Sequence, residues 1–310
     1  MGKFLKQLSL FFLLLFMVCL LVFGIQTWVI RSHSNFKFSK DYDYFMIGHS
    51  HPECAYNDSL IGNFKNIAAS GEAYFYTYYK LKELLKDNDS VQTVMIEFTN
   101  NQIDSAMDKW IWGDKSISQF YTKYGSYVDF HDHVLLSKES FGSVINSFSV
   151  LQKRNFMRII KNDYNYVGHI GGYVYYDKSS VEAAKVTQRT KRKNHPVHES
   201  NSINLLYLER IIALCKEKNK RIILVRTAQH ASLKMRENEE KYLKVYYTKF
   251  SDLPLLDFND FEIPDYGFKD LEHLNYKGAI MISKTMDSLI QNKVFDGYFS
   301  KIDKRIIITK

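Results

Sequence analysis

The chain has 310 residues, 45% of them hydrophobic, which can bury one substantial core and excludes more than about two domains of typical size. Its three cysteines, one of them in an apolar N-terminal segment, exclude a disulfide framework. The formal net charge of +8 at pH 7 is compatible with an anionic membrane surface or an acidic glycan, but it does not select a partner by itself.

The first element is an apolar segment with no charged residue between positions 7 and 30. At about 1.5 Å per residue, residues 8–30 extend about 35 Å, enough to cross a hydrocarbon core of about 30 Å. Lys3 and Lys6 precede the segment, as they would in a cleaved signal peptide, but no small-x-small cleavage site follows it. We therefore interpret residues 1–30 as a short tail and an uncleaved transmembrane anchor.

The side of the membrane is not settled by charge, because basic residues flank both ends of the segment. By analogy with signal anchors, we expect a single-pass membrane protein whose large C-terminal domain faces the periplasm or the exterior. An anchor of this kind argues against nucleic acid as a partner.

After a polar linker at residues 31–41, strand-like and helix-like segments alternate through residues 42–310. Strands alternating with helices indicate right-handed crossovers and a parallel sheet covered on both faces, which is the α/β class. The predicted strands are 44–47, 66–68, 91–98, 221–226, 253–258 and a last one within 305–309, and the predicted helices are 74–86, 203–218 and 276–290.

The alternation fails between residues 102 and 200, which are rich in aromatic and polar residues. We interpret this range as a largely helical insertion that caps the domain. Its basic stretch 189–193 is either a solvated loop or a contact with a glycan or a lipid headgroup. Insertions at the carboxyl ends of strands commonly line the ligand crevice of open α/β sheets.

Three side chains at strand and helix boundaries are candidates for a nucleophile, its base and the group that orients the base. Ser50 follows the first strand at a Gly-His-Ser turn, and His273 precedes the last helix with Asp270 three residues earlier. A serine hydroxyl needs a neighbouring base, and that base works best when a third group fixes its orientation. We therefore predict a catalytic triad of Ser50, His273 and Asp270.

An acyl-transfer site also needs donors for the oxyanion that develops in the transition state. The main-chain N–H groups of Ser50 and Gly71 are candidates. The side-chain amide of Asn100 or Asn101, which follow the third strand, is the third candidate. The sequence does not choose between the two asparagines.

The ordered blocks Ser50, Gly71, Asn100 or Asn101, and Asp270 with His273 resemble the SGNH (GDSL-like) hydrolase and acyltransferase superfamily. The continuation from His273 through Gly278 to Ala279 resembles membrane-anchored members associated with surface-polysaccharide O-acylation. The resemblance covers roughly residues 42–101 and 202–290. It implies a flavodoxin-like three-layer fold, no cofactor, and a membrane protein that delivers the acyl group. Where the family often has Gly-Asp-Ser, this chain has His49 before the serine, and a full Gly-x-Asn-Asp block is absent.

Three further histidines are candidates for substrate contact: His49 and His51, which flank the serine, and His230, which follows a strand. Histidine is also the commonest zinc ligand. Alternate residues of an extended segment point to opposite sides, so we expect no metal here. A histidine with a purely structural role is the alternative at each position.

Together these features predict an extracytoplasmic, serine-dependent enzyme that transfers an acyl group, acetyl in the simplest case, to or from a cell-surface glycan. Water in place of a sugar hydroxyl would make it a carbohydrate esterase. The alternative is a non-catalytic protein of the same fold that binds or assembles polysaccharide, and His49 in the place of the usual acidic residue motivates it.

Overall fold

The computed structural model describes residues 1–190, 202–233, 238–297 and 304–309. It is an α/β structure with a six-stranded sheet in which every neighbouring pair of strands is parallel. The α/β class and the parallel sheet predicted from the sequence are thus confirmed. The basic stretch 189–193 lies largely outside the described residues.

The sheet has the strand order β2-β1-β3-β4-β5-β6. Its central strands are continuous apolar runs, such as Val94-Met95-Ile96, as expected for strands buried on both faces. The strands are β1 (Tyr44–Ile47), β2 (Phe64–Asn66), β3 (Thr93–Glu97), β4 (Arg221–Arg226), β5 (Leu255–Asp257) and β6 (Arg305–Ile307).

Eight helices are labelled in chain order, and two of them reach 32 residues. They are α1 (Gly2–His33), α2 (Ser50–Ala55), α3 (Tyr74–Asp87), α4 (Phe130–Lys161), α5 (Val181–Thr190), α6 (Ile203–Glu217), α7 (Glu239–Val245) and α8 (Tyr276–Gln291). Shorter helical turns occupy Asp58–Leu60, Ser105–Asp108, Lys109–Trp112, Asp114–Ser116, Ile117–Tyr121, Thr122–Tyr124, Val167–His169, Tyr246–Phe250, Asp265–Gly267 and Val294–Gly297.

The chain forms two compact units. The first contains Met1–Phe36 and Trp112–Val167, so that more than half of the range predicted to be an insertion groups with the N-terminal helix. The second contains Lys37–Ile111 and Gly168–Lys310, and therefore the whole sheet.

In the second unit, apolar side chains on one face of the sheet pack against helix α8. Met46, Met95 and Val225 share a core cluster with Ile282 and Met286 of that helix. Helices α3 and α6 pack on each other, with the Phe75 and Tyr207 rings 4.7 Å apart. Because all the strands are parallel, their carboxyl ends lie at one edge of the sheet, where the loops that follow them meet.

In the first unit, helix α1 is long and apolar enough to cross a membrane, by length and composition. Its most apolar stretch is uncovered by the rest of the protein. Near its end it packs on α4, where the Phe23 and Phe148 rings meet edge to face at 5.1 Å. Cys19, Cys54 and Cys215 are all free.

Candidate active site

Ser50 is the first residue of helix α2, directly after the turn that ends β1. Gly48 makes this turn with φ of 152°, a conformation that residues with a side chain rarely adopt. A Cβ atom at Gly48 would lie 2.4 Å from Glu97 Oε2 and 2.8 Å from Pro52 Cγ. Glycine is therefore required here, because the serine turn and the end of β3 lie in direct contact.

The loop before α8 holds His273 and Asp270 together. His273 Nδ1 lies 3.0 Å from both carboxylate oxygens of Asp270. Asp270 Oδ1 also accepts the main-chain N–H groups of Glu272 at 2.8 Å and His273 at 2.9 Å. The Asp270 carboxylate thus fixes both the loop and the imidazole ring. The other ring nitrogen of His273, Nε2, faces away from Asp270.

Asn275 and Gly278 explain why the motif continues beyond the histidine. Asn275 caps α8, accepting N–H groups of Lys277 and Gly278 with its side-chain oxygen. Its amide donates to the carbonyls of Tyr266 at 2.7 Å and Phe268 at 3.1 Å. A Cβ atom at Gly278 would lie 2.3 Å from the carbonyl oxygen of Gly267. These two residues clamp the loop against the helix and so determine where His273 lies.

The structure brings the two halves of the predicted triad together. His273 Nε2 lies 2.8 Å from Ser50 Oγ, although the two residues are 223 positions apart. Ser50, His273 and Asp270 therefore form an unbroken hydrogen-bonded chain in the order expected of nucleophile, base and orienting acid.

Glu97 is a site residue that the sequence analysis missed. It is fully buried at the end of β3, where its Oε2 accepts the main-chain N–H of His49 at 2.6 Å. Its Oε1 lies 2.9 Å from His51 Nδ1 and 3.4 Å from His49 Nε2. A signal was present, because an acidic residue that ends an otherwise apolar strand is costly to bury without a partner.

The two histidines beside the serine carry different charges. Burial lowers the pKa of His49 to about 4, so its imidazole is neutral at pH 7. Burial also opposes charge on His51, but Glu272 and Glu97 raise its pKa to about 9. In return the pKa of Glu97 lies below its usual value, since the two imidazoles outweigh the effect of burial. His51 and Glu97 thus form a buried ion pair.

The pKa of Asp270 is lowered to about 2, because the His273 ring and two main-chain N–H groups outweigh the effect of burial. The carboxylate is therefore ionised across the whole range in which an imidazole titrates. An ionised carboxylate accepts a hydrogen bond from Nδ1–H, and this leaves Nε2 free to act as a base.

The prediction that the His49 and His51 side chains point to opposite sides was wrong. The chain turns into α2 at this point instead of staying extended, and their ring centroids lie 4.6 Å apart. Ligand-type atoms of His49, His51 and Glu97 all lie within 4.8 Å of one another, as do those of His51, Glu272 and His273. The first set is already joined by hydrogen bonds and the buried ion pair.

His49 also contacts the serine itself. Its Nδ1 lies 3.3 Å from Ser50 Oγ, and its Nε2 lies 3.1 Å from Asn101 Nδ2. Asn101 is oriented by Thr99, whose hydroxyl donates to the amide oxygen at 2.6 Å. In the tautomer of neutral His49 that accepts this amide at Nε2, the single proton is on Nδ1 and faces the serine oxygen.

The candidate oxyanion donors divide into three groups. No described residue accepts a hydrogen bond from the main-chain N–H of Ser50 or Gly71. Asn101 contacts His49 beside the serine. Asn100 is fully buried elsewhere, with its amide bonded to Arg226, Asn238 and Glu239, so the structure does not bring it to Ser50.

His230 lies beside a separate crevice. Its Nε2 lies 3.1 Å from Asp265 Oδ1, and its Nδ1 accepts the N–H of Ser232 at 3.0 Å. The cavity it lines has a volume of about 510 Å³ and is also bordered by Gln229, Asn259 and Phe268. Gln229 connects this cavity to the serine cluster, because its Nε2 lies 3.2 Å from His51 Nε2.

A strap of irregular chain, residues 170–180, also passes the site and was not recognised in the sequence. The N–H of Gly172 donates to the main-chain carbonyl of Ala68 at 2.9 Å, and the N–H of Val174 donates to the main-chain carbonyl of Glu53 at 3.0 Å. At the far end of the strap, the N–H of Ser180 donates to the carbonyl of Lys269. The strap therefore runs from the Gly71 loop to the residue before Asp270.

The model of an uncharacterised family matches residues 174–295, less than half of the chain. The matched range contains Asp270, His273, Asn275 and Gly278 but not Ser50. No curated protein matches the chain.

Proposed function

We propose that this chain is a single-pass membrane enzyme of the SGNH type that transfers an O-acyl group to or from a cell-surface glycan. In this proposal α1 is the membrane anchor and the second unit faces the periplasm or the exterior. The observation that carries the chemistry is the 2.8 Å contact between Ser50 Oγ and His273 Nε2, with Asp270 bonded to the other side of the ring. The ordered serine, glycine, asparagine and histidine blocks support the same family.

The reaction proceeds in two halves. Ser50 Oγ attacks the acyl carbonyl carbon while its proton passes to His273 Nε2. The carbon–oxygen bond of the donor ester then breaks, and the departing oxygen takes the proton from His273. An acyl-serine ester remains. In the second half a glycan hydroxyl loses its proton to His273 and attacks the ester, which releases Ser50 with its proton restored.

Asp270 stabilises the imidazolium that forms in each half, since its carboxylate is ionised and bonded to Nδ1. The N–H groups of Ser50 and Gly71 and the amide of Asn101 are assigned to the oxyanion, and each donor contributes roughly 3–4 kcal/mol in enzymes of this kind.

His49 can donate a hydrogen bond to the serine oxygen, which an ionised acidic residue before the serine could not do. Its Nδ1–H faces Ser50 Oγ at 3.3 Å while His273 Nε2 takes the serine proton from another direction. A neutral donor in this place favours the alkoxide, whereas a carboxylate would repel it. We therefore assign His49 to the stabilisation of the nucleophile.

A second candidate function is supported by Asn101. Its amide donates to His49, so one of the three assigned oxyanion donors already has a partner within the protein. A protein of this fold that binds polysaccharide without turning it over would keep such an arrangement. The acyl-donor protein in the membrane is an expectation from the family resemblance.

Labelling with a fluorophosphonate probe tests the chemistry in the full-length chain in membranes. Wild type should label, and both Ser50→Ala and His273→Ala should abolish the signal. Ser59→Ala is the matched control, because Ser59 is an exposed serine in a neighbouring turn and should leave labelling unchanged. Absence of labelling in folded wild type, together with retained glycan binding, would favour the non-catalytic alternative.

Transfer and hydrolysis are separated by the acceptor. With an activated acetyl ester as donor, a transferase should release its leaving group faster when glycan is added and should acetylate that glycan. An esterase should release it at the same rate in water alone.

A further inference from the structure

Helix α4 carries apolar side chains that the first unit leaves exposed. The exposed fractions are 65% for Phe141, 51% for Ile145, 51% for Phe156 and 62% for Ile160. They are similar to the exposed fractions in helix α1, which is long enough to cross a membrane and where Phe12 is 56% exposed. Soluble surfaces carry single apolar residues, but a row of large ones marks an interaction surface.

These four residues lie on one face. They all follow the break in helical geometry at Ser140, and the separations of 4, 11 and 4 residues place them within an arc of about 100° on the helix. Phe148 lies three residues after Ile145 on the same face and contacts Phe23 of α1. The exposed row is therefore continuous with the surface that packs on the apolar helix, and we call it the α4 stripe.

The contact with Phe23 sets the depth of Phe148, at the middle of the stripe. Between Lys6 and Arg31 α1 has 24 uncharged residues, whereas a hydrocarbon core of about 30 Å needs about 20. The outer boundary of the core then lies between Gln26 and Ile30, about 5 to 10 Å beyond Phe23. Amphipathic helices in the membrane interface bury their apolar face to a similar depth.

Side-chain contacts give the stripe a direction. Asn155 donates to Ser126 Oγ at 2.9 Å, and Arg31 at the end of α1 donates to the carbonyl oxygens of Ser126 and Val128. The chain from Phe148 to Asn155 thus follows α1 from Phe23 towards Arg31. Phe141 and Ile145 come before Phe148 and lie deeper than Phe156 and Ile160.

The charges follow the same gradient. Lys153, Arg154, Arg158 and Lys161 lie near the shallow end, at the level where anionic headgroups are found. Lys138 and Glu139, next to the break in α4, limit how far the other end can enter.

We propose that the α4 stripe is inserted into the outer boundary of the lipid bilayer, so that the first unit is held to the membrane by α4 as well as by α1. This inference rests on the membrane span of the proposed function and is independent of the serine chemistry.

Spin labels in the full-length chain, reconstituted in vesicles of phosphatidylcholine and phosphatidylglycerol, test the insertion. Phe141, Ile145, Phe156 and Ile160 are replaced one at a time by cysteine in a chain whose Cys19, Cys54 and Cys215 are alanine. At these sites the label should collide more with oxygen than with a water-soluble nickel complex, and the shift towards oxygen should be largest at position 141. Circular dichroism confirms that each variant is folded.

Two controls make the result decisive. Asn146→Cys, at an exposed polar residue about 100° round the helix from Ile145, should give the opposite preference. Phe12→Cys in α1 should give the lipid preference. Nickel-accessible labels along the stripe with a lipid-facing Phe12→Cys would overturn the inference alone. A nickel-accessible Phe12→Cys would remove the membrane span as well, and the inference with it.

Discussion

Two charged clusters lie at the same edge of the sheet, and their chemistry differs. Around Ser50, buried Glu97 contacts two imidazoles, one neutral and one charged. At the ends of β4 and β5, buried Arg226 contacts Glu239 Oε2 at 2.5 Å and Asp257 Oδ2 at 3.5 Å. Both satisfy their buried charges, as polar groups in a core must.

The two clusters differ in whether the charge of their basic groups can change with pH. A guanidinium stays charged at any physiological pH, and stacking on Tyr242 at 4.4 Å fixes Arg226 further. Imidazoles exchange protons near neutrality, and those of the Ser50 cluster have pKa values moved in opposite directions. Groups with divergent pKa values are typical of acid–base sites, whereas a permanent ion pair is typical of a structural support. The predictions that follow separate these two roles.

The largest effect is expected from Asp270→Asn. An amide cannot hold the His273 tautomer that leaves Nε2 unprotonated, and the corresponding change in other serine triads lowers the rate about 10⁴-fold. We expect a loss of this order in the rate of probe labelling, with the thermal midpoint nearly unchanged. A rate within tenfold of wild type would show that His273 works without its acid.

Arg226→Met should act on stability and not on chemistry. Removing one partner of a buried ion pair leaves the other charges unpaired, which costs about 3–5 kcal/mol of unfolding free energy. Denaturant unfolding measures this, and the folded fraction should label at a rate near that of wild type. The control is Lys249→Met, whose exposed pair with Glu209 contributes about 1 kcal/mol or less.

Gly48→Ala tests the contact that joins the serine turn to the end of β3. The new methyl group would overlap Glu97, which is held by hydrogen bonds and has little room to shift. Overpacking of this kind costs about 1–3 kcal/mol, and the displaced turn should slow labelling as well. Gly168→Ala is the control, because nothing lies within 4 Å of its added Cβ. Equal stability of the two variants would contradict the crowding.

The pH dependence of stability is the most gradual effect and gives the smallest change per step of the experiment, at most about 1.4 kcal/mol per pH unit for each group. Between pH 6.5 and 4 the unfolded chain binds a proton at His49 that the folded chain resists, so acid destabilises. Between pH 6.5 and 9 the folded chain keeps a proton at His51 that the unfolded chain releases, so alkali destabilises. Thermal midpoints should therefore be highest near pH 6.5.

Single substitutions separate the two limbs of this curve. His51→Gln should remove the decline above pH 6.5, and His49→Asn should weaken the decline below it. His131→Gln is the control, because His131 is largely exposed. Persistence of the alkaline decline in His51→Gln would show that the charge on His51 is not its cause.

The sequence predicted the central strands well because they are short apolar runs that end at turn residues. The edge strand β2 (Phe64–Asn66) was predicted two residues too late, at 66–68, because Lys65 interrupts its apolar pattern. β1 and β4 have the predicted bounds. β3 was predicted at 91–98 and is shorter at both ends, at Thr93–Glu97. The spacing of Asp270 and His273 also indicated their contact, since three residues are enough to close a loop. Local chemistry carried these predictions.

Other features depend on partners distant in sequence. Glu97 was not selected, because nothing near it in sequence shows that His49 and His51 converge on it. The choice between Asn100 and Asn101 depended on Arg226, more than 120 residues away. The assumption that the His49 and His51 side chains diverge failed because the serine turn enters a helix.

The long separation between Ser50 and His273 has a consequence for how the protein is made. A ribosome adding about 5–20 residues per second needs roughly 10 to 45 s to advance the 223 positions from Ser50 to His273. During that interval the serine is present without its base, and without the clamp that Asn275 and Gly278 provide. Under the proposed mechanism, a nascent or truncated chain that ends before this clamp has an inert hydroxyl, and reactivity begins only after the loop that holds His273 has formed.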